Sequence, residues 1–285
     1  MLDYNVFHTI AWPGAYAWYF FVIGISAALF FFSALSWFRE EFQSLRKSGL
    51  YLSFALLVVG GLLLISDLSQ PLRFLNMLNP AYLQFRSPLA WGSLNLMSFG
   101  IVSVAYFFFM NNGNDGLAKK AAVIGALLAL GLPIYTGFDL TVHQHRPVWN
   151  TPLMPVLFVA LSLLSGAALA SFLARGNDKL MVTLRYFMLW SGGATAVMLI
   201  PLLGTTAYGG SAEEFTFMFL TSGAMGMIFI GLGMVVGLAA PIALLLAPVG
   251  RQPASVMAAG TLLLIGVMAL RYAILIGPQI VHTYY

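Results

Sequence analysis

The sequence predicts an all-α integral membrane protein with eight transmembrane helices, arranged as two four-helix bundles. Three observations carry that prediction. Of the 285 residues, 60% are hydrophobic and only 8% charged, with a mean hydropathy of +0.90; a soluble domain of this size carries about 25% charged residues to solvate its surface. Stretches free of Asp, Glu, Lys and Arg recur eight times, each close to or above the ~20 residues a helix needs to cross hydrocarbon. Finally, the cationic residues fall on one side of the predicted topology. The loops after spans 1, 3, 5 and 7 hold Arg39, Arg46, Lys47, Lys119, Lys120, Arg175, Lys179, Arg185 and Arg251, leaving only Arg73, Arg86, Arg146 and Arg271 for the other side.

Taken in order, Trp12-Pro13 turns the chain into span 1 at 15–37, which stops before Arg39-Glu40-Glu41. Span 2 occupies 49–66, between Arg46-Lys47 and Asp67, and span 3 occupies 89–110 after Ser87-Pro88. Gly113-Asn114-Asp115-Gly116 reads as a turn, and span 4 follows at 120–136. Spans 5 and 6 lie at 153–174 and 184–203, the latter opened by Arg185, a side chain of the kind that snorkels to the headgroups. The charge-free stretch 215–250 is too short for two spans and a turn, so it is read as one long or tilted helix at 217–246. Span 8 is placed at 254–276. The span count suggests a division at the 137–152 loop, giving bundles of residues 1–136 and 137–285. Gly233/Gly237, Gly192-Gly193 and Ser162/Gly166/Ala170 are small-residue stripes of the kind that let membrane helices approach closely.

The positive-inside rule makes the nine-cation side cytoplasmic and directs both termini outward, to the periplasm if the membrane is a bacterial inner membrane. The first apolar stretch is too long for the ~7–15-residue core of a signal peptide. The outward loops 67–88, 137–152 and 204–216 are the larger ones and are expected to receive a partner.

Composition also narrows the chemistry. With no cysteine, this chain holds no disulfide, thiolate zinc site or Cys-ligated iron–sulfur cluster. The basic residues form no run, so a pI near 9.4 reflects topology rather than nucleic-acid binding. The four histidines, His8, His143, His145 and His282, sit at span ends or in outward loops, which argues against a haem ligated between facing helices. His143-x-His145 reads either as two ligands of a loop metal or as loop hydrogen-bonding groups; no metal is expected. Asn5 and His8, three residues apart before Trp12-Pro13, share a face on a short helix. They read either as an interfacial cap for span 1 or as a pair that hydrogen-bonds a carbonyl anchored by an apolar tail. Asp67 ends span 2, while Tyr135 and Asp139 lie one helical turn apart at the end of span 4. Acids at the boundary of apolar helices mark functional sites unless they are paired, and Arg73 and Arg86 are the candidate partners for a loop-stabilising ion pair.

Several segments together resemble the NrfD-like, or polysulfide reductase membrane-subunit, family: NVFH before span 1, DLSQPLRF after span 2, SPLAWGS opening span 3, YTGFDL ending span 4, PVWNTPLMPVLFVALSLLSG leading into span 5, and RYAILIGPQ ending span 8. The resemblance implies two four-helix bundles anchoring a periplasmic iron–sulfur subunit and a molybdenum catalytic subunit. It also implies electron exchange with menaquinone or ubiquinone near the periplasmic side. Asn5, His8 and Tyr135 match the family's quinone-holding Asn, His and Tyr, and Asp67 falls in a matching Asp-x-x-x-Pro-x-Arg-like segment. His and Tyr are suitable donors to a quinone's carbonyls, and Asp67 and Asp139 are placed to pass protons outward. The protein is expected to hold no haem or cluster of its own, so a partner must exchange the electrons. The expected direction is quinol oxidation for reduction of a sulfur compound or similar acceptor, with protons released outward.

Two rival readings stand beside this one. A secondary transporter gated by the outward loops would show broken helices and midplane charges; here the charges cluster at span ends. A purely structural anchor would have no reason to combine Asn5, His8 and Tyr135.

Overall fold

A computed structural model describes residues 12–66, 74, 76, 79, 85–144, 146 and 148–280. Eight of its helices are long and apolar enough to cross a membrane. They are α1 (Gly14–Leu35), α2 (Leu45–Ser66), α3 (Pro88–Asn111), α4 (Asp115–Thr141), α5 (Leu153–Leu173), α6 (Asp178–Ala207), α8 (Gly223–Leu246) and α9 (Pro253–Ile280), with a shorter α7 (Ser211–Thr221) between the sixth and seventh spans. The chain is a multi-pass membrane protein. Eight crossings bring Trp12 and the end of α9 to one face, called here the terminal face.

The helix ends show why the sequence breaks where it does. Arg46 closes the end of α1 at its capping residue Ser36: Nε donates to Ser36 Oγ and Nη2 to Ser36 O, both at 2.9 Å, with the guanidinium 4.1 Å over the Trp37 ring. α3/α4 and α5/α6 are joined by the same device, a Gly-Asn-Asp turn. Gly113 and Gly176 adopt φ of +70° and +88°, which favours glycine. The following Asn114 and Asn177 then accept a hydrogen bond from the backbone N–H of Leu117 (3.2 Å) and Leu180 (3.1 Å), capping the next helix. Asp115 and Asp178 sit in the first turn, where the helix dipole favours an anion.

α1 lies at the centre, packed against α2, α4, α5 and α9, and α5 and α9 are the next most enclosed spans. Close approach is set by the small-residue positions. Gly166 sits on Ala28 across α1/α5, Gly237 meets Gly266 backbone to backbone across α8/α9, and Gly233 lies under Leu270. The small-residue stripes read from the sequence thus have helix-packing roles.

The helices run past their predicted bounds at most ends, because charged first turns do not stop a capped helix. α4 begins at Asp115 and continues to Thr141, so Tyr135 and Asp139 lie inside it rather than closing it. α6 begins at Asp178, placing Arg185 two turns in. That arginine does not snorkel: it is buried, and its Nε (2.9 Å) and Nη2 (2.5 Å) both donate to Leu245 O, closing the C-terminal end of α8. The seventh span is not one helix over 217–246. Gly223, at φ +57°, breaks the chain after α7, and α8 alone makes the crossing, wound as a π-helix over Met227–Ala239. Arg271 is not an outward-side charge but lies within α9 at 0% exposure.

Candidate functional site

The candidate residues divide sharply by location. Asn5, His8 and Asp67 lie outside the described residues, as do Arg73, His145 and His282. Tyr135 and Asp139 are described, half-buried on α4 toward the terminal face. Arg86 is exposed.

Tyr135 is about 9 Å below the end of α4, counting six residues at 1.5 Å each. Its ring lies so closely on Gly92 of α3 that a Cβ there would fall among the ring atoms. Gly92 comes from the SPLAWGS segment, so the glycine makes the slot in which the tyrosine rests. Asn95, one turn further along α3, donates from Nδ2 to Leu128 O at 3.1 Å and packs on Gly131. Residues 128, 131, 135 and 139 share one helical face, so Tyr135 and Asp139 both look toward this α3 seam. Tyr135 is also within electrostatic reach of Tyr19 and Tyr16 on α1 as well as Asp139. The Tyr19 hydroxyl is fully buried and, among the described residues, has no hydrogen-bond partner. The structure therefore gathers three phenols and one carboxyl where α1 meets α4. Sequence reasoning singled out one of these phenols. Tyr16 and Tyr19 escaped notice because tyrosines near a span end are the ordinary aromatic belt of a membrane helix.

The other face of α4 is separate. Gly137 packs directly on the backbone of Met154 and Pro155 at the start of α5. Below it, an almost wholly apolar cleft of about 340 Å³ is lined by Ala126, Ala129, Leu130 and Pro133 of α4, with Ala28 of α1 and Phe187 of α6. Those α4 positions lie opposite Tyr135 on the helix, so the cleft is not the surrounding of that residue.

A third cluster closes the terminal face. Pro278 lacks an N–H, which leaves the carbonyl of Ile274, four residues earlier, without its helical donor. The Trp149 indole fills that place, donating from Nε1 at 2.7 Å. Arg146, from the same loop, donates to Pro278 O at 2.5 Å; burial lowers the pKa of this guanidinium from the ordinary arginine value. Trp12 stacks on Trp149 with centroids 5.6 Å apart and on Tyr16 at 5.4 Å. His143 meets Trp12 and Trp149 edge-on at 5.1 and 5.5 Å, which makes it part of an aromatic box. The backbone of Trp12 is tied to α9 by one amide: its N–H donates to Gln279 Oε1 (2.6 Å), and Gln279 Nε2 donates back to its carbonyl (3.0 Å).

Similarity to known proteins extends along nearly the whole sequence. The polysulfide reductase C chain of Wolinella succinogenes is 28% identical, the match covering 96% of each protein. The tetrathionate reductase C subunit of Salmonella typhimurium is 26% identical over 71% of this chain and 61% of its own length. Protein NrfD of Escherichia coli is 26% identical over 58% of this chain and 59% of its own. A family model described as "Polysulphide reductase, NrfD" matches residues 4–282. With eight spans and a match from end to end, the chain belongs to the polysulphide reductase, NrfD, family.

Proposed function

We propose that this chain is the quinone-reactive membrane subunit of a respiratory oxidoreductase complex. It oxidises quinol near the periplasmic face of a bacterial inner membrane and passes the electrons to an iron–sulfur partner. That partner serves a molybdenum catalytic subunit acting on a sulfur compound or similar acceptor. Three supports combine: family membership, relatives named as parts of polysulfide and tetrathionate reductases, and the Tyr135 corner. The corner carries most weight, because phenols and a carboxyl grouped inside an apolar bundle provide the hydrogen-bonding and titratable groups that quinol chemistry needs.

In this reading the two four-helix units expected at residues 1–136 and 137–285 divide after α4, which runs on to Thr141, and the quinol site belongs to the first. Tyr135, held on Gly92, donates to one oxygen of the quinone, and His8 with Asn5 binds the other. Quinol oxidation releases two electrons and two protons. The electrons leave through the partner's cluster, since this chain has no cysteine with which to hold one. Asp139 and Asp67 take the protons toward the terminal face. Arg185, committed to Leu245 O, is not available to relay protons from the opposite face.

The test is menaquinol-analogue oxidation by the assembled complex in proteoliposomes with pH dyes on both sides. Tyr135→Phe is expected to lower turnover about tenfold, the loss of one hydrogen bond worth roughly 1.4 kcal/mol. His8→Ala is expected to abolish it, and protons are expected to emerge only on the terminal face. Unchanged turnover in both variants, or a quinol-independent solute flux through the protein, would favour the transporter reading instead.

A further inference from the structure

The apolar cleft beside α4 has the lining of a hydrocarbon site. Its volume of about 340 Å³ lies at the small end of the ~300–1,000 Å³ range of ligand pockets. Leu127 and Leu130 of α4 stand at its rim, 70% and 49% exposed, so it opens sideways to lipid. Among the described residues that line it, Ser162 alone has a polar side chain. That hydroxyl is already committed: it donates to Phe158 O at 2.7 Å and accepts from Arg271 Nη2 at 2.8 Å. The lining therefore offers no donor to the head group of an occupant. Only an apolar chain suits the interior.

The head group must then lie outside, and the helices decide on which side. Toward the terminal face the way is shut, because Gly137 packs on the backbone of Met154 and Pro155. Toward the opposite face, α4 runs back from Ala126 to Lys119, roughly 10 Å at 1.5 Å per residue, and seven residues bring both onto one stripe of the helix. Lys119 is exposed, and its ammonium lies 4.7 Å over the ring of Phe38, three residues beyond the end of α1. That contact places the cation between the ends of α1 and α4, two helices that wall the cleft. Its setting is positive as well: residues 36–47, 112–120 and 174–179, at the same face, hold seven Lys and Arg against four Asp and Glu. A cation above an apolar cleft between helices complements a phosphate rather than a neutral head group.

We propose that the cleft is a phospholipid site: it takes one acyl chain of an anionic phospholipid from the leaflet opposite the terminal face, with the phosphate resting on Lys119. The lengths agree. From Lys119 to Pro133, the innermost α4 residue of the cleft, is about 21 Å along the helix. One leaflet, half of a bilayer ~40–45 Å thick with its head groups, has the same depth. The chain fills the cleft between α4 and Phe187 of α6, on the side of α4 away from Tyr135. The proposal does not depend on the quinol reading.

The experiment uses the assembled complex in detergent, supplied with phosphatidylglycerol or phosphatidylcholine carrying a diazirine at the end of one acyl chain. Retained lipid is counted by native mass spectrometry, and crosslinks are mapped by peptide. Wild type is expected to keep one phosphatidylglycerol per copy of this chain, in preference to phosphatidylcholine, with crosslinks in the peptides containing Leu130 and Leu163. Lys119→Gln should weaken phosphatidylglycerol retention about fivefold and leave phosphatidylcholine unchanged, while Lys119→Arg keeps the preference. Ala126→Leu, which fills the cleft, should remove its crosslinks with both lipids. Should that variant fail to assemble, the exposed Lys119 still decides. Equal retention of the two lipids by wild type, an unaltered preference in Lys119→Gln, or crosslinks only outside the cleft overturns the proposal. Crosslinks displaced by excess menaquinone analogue but not by phosphatidylglycerol would give the cleft to a quinone, overturning both this proposal and the placing of quinol at Tyr135.

Discussion

Arg271 occupies the centre of the molecule with no exposure, and only its Nη2 is hydrogen-bonded, to Ser162 Oγ at 2.8 Å and Phe158 O at 3.3 Å. Among the described residues Nε and Nη1 have no partner, and the guanidinium lies 4.7 Å over the Phe158 ring. It is wedged against α1 at Gly24, where any side chain would collide with Nη2 and Ser162. Such a charge is weak as a source of stability, because taking it out of water offsets what two hydrogen bonds and one ring contact return. Arg271→Met, which fills the same space without the charge, is therefore expected to keep or raise the Tm of the purified complex. Arg271→Ala, which empties the space, should destabilise by roughly 2 kcal/mol or more. A Tm loss as large in the Met variant as in the Ala variant would show that the charge itself holds the bundle together. Tyr135 differs in kind: its neighbours are titratable groups and a glycine slot, an arrangement that supports chemistry rather than packing.

Among the elements, the end of α9 illustrates how one covalent fact organises a face. Pro278 opens a carbonyl at Ile274, Trp149 fills it, and the loop carrying Trp149 brings Arg146 and His143 with it. Trp149→Phe retains the stacking surface but leaves that carbonyl unsatisfied, so a loss of about 1–3 kcal/mol in unfolding free energy is expected, read as a lower Tm. No loss would mean that another donor reaches the carbonyl. The number of spans was legible because each is a stretch without charge. Their ends were not, since Asn114 and Asn177 cap helices that begin on a charged residue, Asp115 and Asp178. The break before α8 was hidden because Gly223 lies in a wholly uncharged stretch, where only its positive φ marks the turn. The Tyr135/Asp139 pair was legible from its four-residue spacing. The Trp12–Gln279 tie was not, because no local pattern connects residues 267 positions apart.

For the molecule as a whole, α1 is the shared element. It carries Tyr16 and Tyr19 to the α4 corner, presents Ala28 to α5, packs against α9, and follows directly on Trp12, which Gln279 holds. A protein built this way ties its Tyr135 corner, the end of its last helix and the loop before α5 into one terminal face. That same face is where the proposed electron-accepting partner must dock. Quinol is proposed to bind on the α3 side of α4, at Tyr135, and not in the apolar cleft on the α5 side. A photoreactive quinone analogue, illuminated in the intact complex and mapped by peptide mass spectrometry, distinguishes the two directly. Binding at Tyr135 would label the peptides containing Gly92, Tyr135 and His8, suppressed by excess unlabelled quinone. Competable labelling confined to the cleft residues around Leu130, Leu163 and Phe187 would contradict it.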